Sequence, residues 1–219
     1  MALNADFGAR VVVDTRLAPW IASPEPGVDR KLLDRVGDEV ARATSIVRYA
    51  PGAAFASHEH ALGEEFLVLA GTFADEGGEY PTGTYVRNPP GSRHRPYSPA
   101  GCELFVKLRQ FQADDRAHVV IDTRRAEWRP GLVPGLSVLP LHECGAEHVA
   151  LVRWAPGTRF QAHTHWGGEE ILVLDGVFAD EHGDYPAGSW IRSPHGSRHQ
   201  PFSAPGCLIF VKVGHLAET

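Results

Sequence analysis

The sequence predicts an all-β protein built as two tandem barrels of sandwich or jelly-roll type, and three observations predict it. The chain repeats itself, its apolar segments are short and rich in β-branched and aromatic residues, and no segment sustains a helical period over three turns. Aligning residues 48–107 with 153–212 at a constant offset of 105 gives 35 identities in 60 positions without a gap. Upstream, "VVVDTRLAPW" (11–20) is echoed by "VVIDTRRAEW" (119–128) at an offset of 108, so the first copy carries three extra residues between Trp20 and Arg48. A repeat of roughly a hundred residues is too long for a solenoid unit and suits a small domain. Two homologous domains are expected, residues 1–112 and 113–219, joined through the polar "RQFQADDRAH".

The strands follow in order. "TSIVRYA" (44–50), "EFLVLAG" (65–71), "TYVRNP" (84–89) and "ELFVKLRQF" (103–111) are separated by Gly and Pro turns at intervals near ten residues. The unbroken apolar run of "EFLVLAG" implies burial on both faces, with Gly71 expected to end that strand. "GTYVRNPPG" (83–91) leads from a strand into a Pro-Gly turn.

Composition bounds the function. The 219 residues are 43% hydrophobic, enough for a real core, and the formal charge of -6 offers no electrostatic attraction for nucleic acid or an anionic membrane. No apolar stretch approaches the roughly eighteen residues that cross a bilayer, and "MALNADFGAR" lacks the basic start and apolar core of a signal peptide, so a cytoplasmic location is expected. Three cysteines, Cys102, Cys144 and Cys207, without a C-x-x-C, are poor material for a disulfide framework or a thiolate metal site.

The chemistry is concentrated in "HEHALGEEFLVLAG" (58–71) and its echo "HTHWGGEEILVLDG" (163–176). On a strand, His58 and His60 project from one face about 7 Å apart at their roots, so two imidazoles can converge on one ion. Gly63 permits a turn, after which Glu64 supplies a carboxylate, and His94 in "NPPGSRHRP" returns on a tight turn to the same place. The second copy repeats the set as His163, His165, Glu169 and His199.

Each copy resembles a cupin, whose first motif is G-x5-H-x-H-x3,4-E-x6-G and whose second is G-x5-P-x-G-x2-H-x3-N. The first copy matches at Gly52, His58, His60, Glu64 and Gly71, then at Gly83, Pro89, Gly91 and His94. The second matches at Gly157, His163, His165, Glu169 and Gly176, then at Gly188, Pro194, Gly196 and His199; the final Asn is replaced by Ser98 and Ser203. The resemblance implies a bicupin, two jelly-roll barrels each holding a metal. "H-x-H-x-x-G-E-E", "F-A-D-E-x-G-x-Y-P-x-G" and "R-x-P-x-G-S-R-H" are similar to the cupin domain of the ChrR anti-sigma factors, where the matching three His and one Glu hold zinc and the domain takes part in sensing singlet oxygen or peroxide. The sigma-gripping helical domain of that family is not expected here, because the residues before Val11 are too few and no His-x3-Cys-x2-Cys occurs. A sigma-factor partner is therefore not expected.

Other residues have simpler expected roles. Glu65 and Glu170, next along the strand from the candidate ligands, are expected to face the other way as a structural ion pair or an exposed charge. Arg93 and Arg198 either orient an anionic ligand at the barrel mouth or are solvated. Cys102 and Cys207 read as buried, inert thiols, and Asp75-Glu76 and Asp180-Glu181 as charges of a polar hairpin turn. The copies differ at Ala61-Leu62/Trp166-Gly167, Tyr85/Trp190, Pro90/His195 and Tyr97/Phe202, either because the pockets have diverged or through drift.

Three neutral imidazoles and one carboxylate leave a divalent site at a net charge of +1, and Zn, Fe, Mn and Ni all accept that set. Two functions are expected from it. One is a dioxygenase-like enzyme acting on a small carbonyl-type molecule; the other is a zinc cupin with a regulatory or oxidative-stress-sensing role and no turnover. A monomer and a homodimer both suit a fused pair of cupins.

Overall fold

The computed structural model of the protein describes residues 1–216. Contacts within the chain divide it into two compact units, one made of Met1–Ala5 and Ala18–Ala126, the other of Asp6–Leu17 and the chain from Glu127 onward. Among the described residues every regular element is a strand, and no helix is long and apolar enough to cross a membrane. The all-β expectation holds in both units.

In the first unit a nine-stranded antiparallel sheet runs in the order Ala2–Leu3, Val28–Val36, Arg42–Tyr49, Cys102–Leu108, Glu64–Asp75, Thr84–Asn88, Val119–Asp122, with two short strands paired off this path. Apart from it, His58–His60 pairs with Ser92–His94 in a two-stranded ribbon. The second unit repeats the plan. Its main sheet runs Arg129–Pro130, Leu136–Cys144, Glu147–Trp154, Cys207–Val213, Glu169–Asp180, Ser189–Ser193, Val11–Asp14, and His163–His165 pairs with Ser197–His199.

The packed units differ from the linear repeat at one strand. Val11–Asp14 belongs to the first sequence repeat but pairs with Ser189–Ser193 of the second, and Val119–Asp122 of the second repeat pairs with Thr84–Asn88 of the first. Each exchanged segment is pinned at its end. Thr15 donates both its backbone N–H (2.8 Å) and its hydroxyl (2.7 Å) to the Gly188 carbonyl, and Thr123 does the same to Gly83 at 3.0 and 2.6 Å. The boundary expected near residue 112 therefore marks the repeat, whereas the packed units each draw on two chain segments.

The long central strand also runs further than expected. Glu64–Asp75 continues through Gly71 into a hairpin with Gly78–Pro81, and a bulge near Leu69 shifts its register against Cys102–Leu108. Gly71 has φ +71°, and a Cβ there would lie 2.1 Å from the Gly101 carbonyl oxygen. Gly71 lets the strand bend against its neighbour and does not end it.

The core follows from the apolar runs. Phe66, Val68, Phe73, Val86, Leu104 and Val106 form one buried cluster, while Leu67 and Phe105, facing the other way, are equally buried, as a continuous apolar strand predicts. In the second unit Ile171, Val173, Phe178, Ile191 and Ile209 repeat the first cluster. Complete burial of such side chains stabilises by roughly 1.5–3 kcal/mol each, which gives the two histidine-bearing ribbons a rigid wall to stand on.

Candidate metal centre

Three histidines per unit are placed by backbone pairing. His58 and His60 lie at i and i+2 of one short strand, and His94 is the cross-strand partner of His58. The ring centroids lie 4.8, 5.1 and 4.8 Å apart, and ring nitrogens of the three fall within 4.8 Å of one another. His163, His165 and His199 form the same triangle, with centroids 4.5, 4.8 and 4.9 Å apart. The turn at Gly63, φ +78°, then brings in Glu64, whose Oε2 lies 3.3 Å from His60 Nε2 and 3.6 Å from His94 Nε2. Glu169 stands 3.5 Å from His165 and 3.6 Å from His199. All eight residues expected from the sequence are thus brought together, four in each unit.

The outer ring nitrogens fix the tautomers. His58 Nδ1 donates to the Ala56 carbonyl and His163 Nδ1 to the Gln161 carbonyl, both at 2.9 Å. His94 Nδ1 donates to Asp75 Oδ2 at 3.0 Å, and His199 Nδ1 to Asp180 Oδ2 at 3.4 Å. A neutral imidazole with its proton on Nδ1 turns the Nε2 lone pair inward.

Burial and charge act on these groups in different directions. Desolvation lowers His60, and lowers His165 to about 3 together with the neighbouring imidazoles, so both rings are neutral and free to accept an ion. Desolvation also works against the charged form of His94 and His199, but the bond to Asp75 or Asp180 and the facing glutamate outweigh it and raise both. Burial pushes the Glu169 carboxyl up to about 7, the mark of an anion enclosed without a sufficient counter-charge.

That donor set fits a divalent metal. His60 Nε2 and His94 Nε2 are 2.9 Å apart, and His165 Nε2 and His199 Nε2 are 3.0 Å apart, separations that an ion about 2.1 Å from each nitrogen would span. A cation would also supply the charge that the enclosed Glu169 lacks.

Several residues around the ligands differ from the sequence reading. Asp75 and Asp180, expected to be loop charges, are almost fully buried and hold the third imidazole of each site; hydrogen bonds from Tyr80 (3.0 Å) and Tyr185 (2.8 Å) orient them. The retention of "FAD" nineteen residues before the third His in both copies was the available signal. Asn88 Nδ2, which the sequence did not single out, donates to Glu64 at 3.1 Å. Glu65 does face away, into a buried ion pair with Arg87 and a 3.0 Å bond from the Tyr85 hydroxyl, and Glu170 accepts from Trp190 Nε1 at 2.7 Å. Tyr85 and Trp190 therefore line the opposite face of the sheet and not the metal pocket. Trp166 is 72% exposed and lies tilted against His195, with ring centroids 5.5 Å apart. Arg93 pairs with Glu59 at the surface, and Cys102 and Cys207 are buried free thiols.

In the first unit the cluster opens onto a cavity of about 540 Å³, walled by Val47, Tyr49, Phe55, Phe73, Leu104 and Val106, with His58, His60, Glu64 and His94 at its side. A mostly apolar space with a few convergent polar groups is the general form of a small-molecule site.

The family model of the ChrR cupin-like domain matches the chain twice, over residues 8–112 and 116–217. Among solved structures, a candidate dioxygenase from Nostoc punctiforme is 16% identical, with a TM-score of 0.75 over 97% of this chain and 85% of that one. The Ylba protein of E. coli is also 16% identical, with a TM-score of 0.74 over 98% of this chain and 94% of that one. Oxalate decarboxylase of Lactobacillus farciminis, in complex with formate, is 12% identical, with a TM-score of 0.64 over 95% and 87%. At these identities the likeness shows the fold. No curated protein matches the chain.

Proposed function

This chain belongs to the ChrR cupin-like domain family in both of its halves, and on that footing we propose that it binds one divalent metal per module and acts on a small carbonyl-type molecule in a dioxygenase-like reaction. The observation that carries the reading is that His58, His60, Glu64 and His94 line an apolar cavity large enough for a substrate. A site with only a structural ion needs no such space beside its ligands. When bound, iron or manganese supplies Lewis acidity toward a carbonyl or enolate oxygen and redox chemistry with dioxygen. The chain's own residues do the rest. Asp75 holds His94 in the tautomer that offers Nε2, Asn88 orients the Glu64 carboxylate, and Phe55, Phe73 and Leu104 exclude water from the reacting centre.

The experiment is metal analysis of protein purified without added metal, followed by oxygen-uptake measurements with pentane-2,4-dione on iron-loaded protein. Two metals per chain are expected, falling to one in His60→Ala and in His165→Ala, with oxygen uptake lost in His60→Ala. Tightly bound zinc with no turnover would overturn the enzymatic reading. It would favour the second one, a zinc-holding sensory cupin, which family membership itself supports.

A further inference from the structure

The two modules differ most in one hairpin. The three extra residues of the first copy fall between Val28–Val36 and Arg42–Tyr49, where five residues, 37–41, make the turn; the matching strands Leu136–Cys144 and Glu147–Trp154 are joined by only Gly145 and Ala146. Glu39, Val40 and Ala41 of the longer turn form part of the cavity wall, and Arg30 Nη1 reaches Glu39 at 3.3 Å to tie the turn to its strand.

Beside that wall stands Arg109. Its backbone has φ +61°, a conformation L side chains rarely adopt, and its counterpart in the second repeat is Gly214 at φ +75°. A Cβ on Gly214 would lie 1.9 Å from the Ala146 carbonyl oxygen, so the short turn forbids a side chain there, whereas the longer turn leaves room for one. Arg109 lines the cavity, and among the described residues its guanidinium has neither an ion pair nor a hydrogen bond. An uncommon backbone conformation thus carries a guanidinium on the cavity wall that is available to a ligand.

Tyr49 makes the complementary observation. It lines the same cavity, is 6% exposed, and its hydroxyl has no hydrogen-bond partner among the described residues. Tyr49 pairs with Cys102, seven residues before Arg109, which places the two backbones about 23 Å apart along the strand direction. Glu64 and Glu25 line the cavity as well, and both act electrostatically on Tyr49, Glu64 the more strongly, so that end disfavours a second negative charge.

We propose that the first module alone binds a carboxylic acid with an elongated apolar body. Arg109 holds the carboxylate at one end, the aliphatic and aromatic walls take the body past the metal ligands, and the Tyr49 hydroxyl donates to an uncharged oxygen at the far end. The inference rests on the reading of this cavity as the substrate site and narrows its substrate to a class.

Isothermal calorimetry on the full, metal-loaded chain tests it with decanoate, decanol and 10-hydroxydecanoate. The wild type is expected to bind one decanoate per chain, about tenfold or more tighter than decanol. Arg109→Gly, which takes the residue found at 214 and relieves the backbone, is expected to erase that preference. Tyr49→Phe is expected to leave decanoate unchanged while erasing the advantage of 10-hydroxydecanoate. Equal binding of acid and alcohol, two acids per chain, no binding of any probe, or a preference that survives Arg109→Gly would each overturn the proposal, and a hydroxy-acid advantage that survives Tyr49→Phe would overturn the role of Tyr49. Metal content measured on the same samples separates the readings. Metal present without acid preference defeats only this inference, whereas acid preference without metal defeats only the metal-dependent function.

Discussion

His94 Nδ1 donates to Asp75 Oδ2 at 3.0 Å, and Asp75 in turn accepts from the Tyr80 hydroxyl and the Gly77 backbone N–H. The carboxylate fixes the tautomer and the rotation of the ring that presents Nε2 to the site, and removal of such a supporting group weakens metal binding by about 10–100-fold. Asp75→Ala is therefore expected to lower metal affinity in the first module by that factor without reducing the number of sites at saturating metal. Competition against a chromophoric chelator, in a His165→Ala background that silences the second site, reads it directly. An unchanged affinity would mean that the strand pairing of His94 with His58 orients the ring by itself.

Adjacent glutamates are expected to fail in opposite ways. Glu64 faces the three imidazoles, while Glu65, 1% exposed, pairs with the fully buried Arg87 on the other side of the same strand. Glu65→Gln removes one of the two carboxylates that pair with buried Arg87, leaving Asp115 to hold the guanidinium, and is expected to cost roughly 1.5–3 kcal/mol in urea unfolding of the metal-free protein. Glu64→Gln keeps an acceptor for Asn88 and is expected to change metal-free stability by less than about 1 kcal/mol while sharply weakening metal binding.

These contrasts show what can be read from residues alone. His58, His60 and Glu64 are legible because strand alternation decides which side chains share a face, and the duplication states the pattern twice. Glu65 is legible for the same reason, although its partner Arg87 is not. Asp75 escapes because its role depends on the Glu64–Asp75 strand continuing past Gly71, and the apolar pattern alone made Gly71 look like an end. The position of Val11–Asp14 escapes for a deeper reason. "VVVD" encodes a strand, but Thr84–Asn88 and Ser189–Ser193 are homologous edges, and local sequence does not choose between them. Arg109 is visible only as a mismatch with Gly214, whose meaning requires the φ angle and the neighbouring turn.

Thiol chemistry is expected to be silent at the two repeated cysteines. Burial pushes the Cys207 thiol up to about 11 and raises Cys102 in the same direction. A thiol remains protonated below its raised pKa, so at pH 8 about one Cys207 in a thousand is thiolate, and access is restricted as well. Titration of native protein with a dithiobis-nitrobenzoate reagent at pH 8 is expected to modify one thiol per chain rapidly, the partly exposed Cys144, and all three after unfolding. Fast reaction of two or three native thiols would contradict this and would make a cysteine-based oxidant response credible. With one fast thiol, any cysteine-based response to peroxide has to run through Cys144.

The exchanged strands give the least intuitive prediction. Thr15 lies in the first sequence repeat, yet its backbone N–H and hydroxyl both bond to the Gly188 carbonyl, and Thr123 of the second repeat bonds in the same way to Gly83. Proline at either position removes both donors and leaves a carbonyl without them, a loss of about 2–4 kcal/mol. Thr15→Pro is accordingly expected to loosen the second module, speeding amide hydrogen exchange across Ser189–Ser193 while leaving Thr84–Asn88 protected. Thr123→Pro is expected to do the reverse. If each substitution instead loosened the barrel of its own sequence repeat, Val11–Asp14 and Val119–Asp122 would have to pair within their own repeats, and the two-segment composition of the packed units would be wrong.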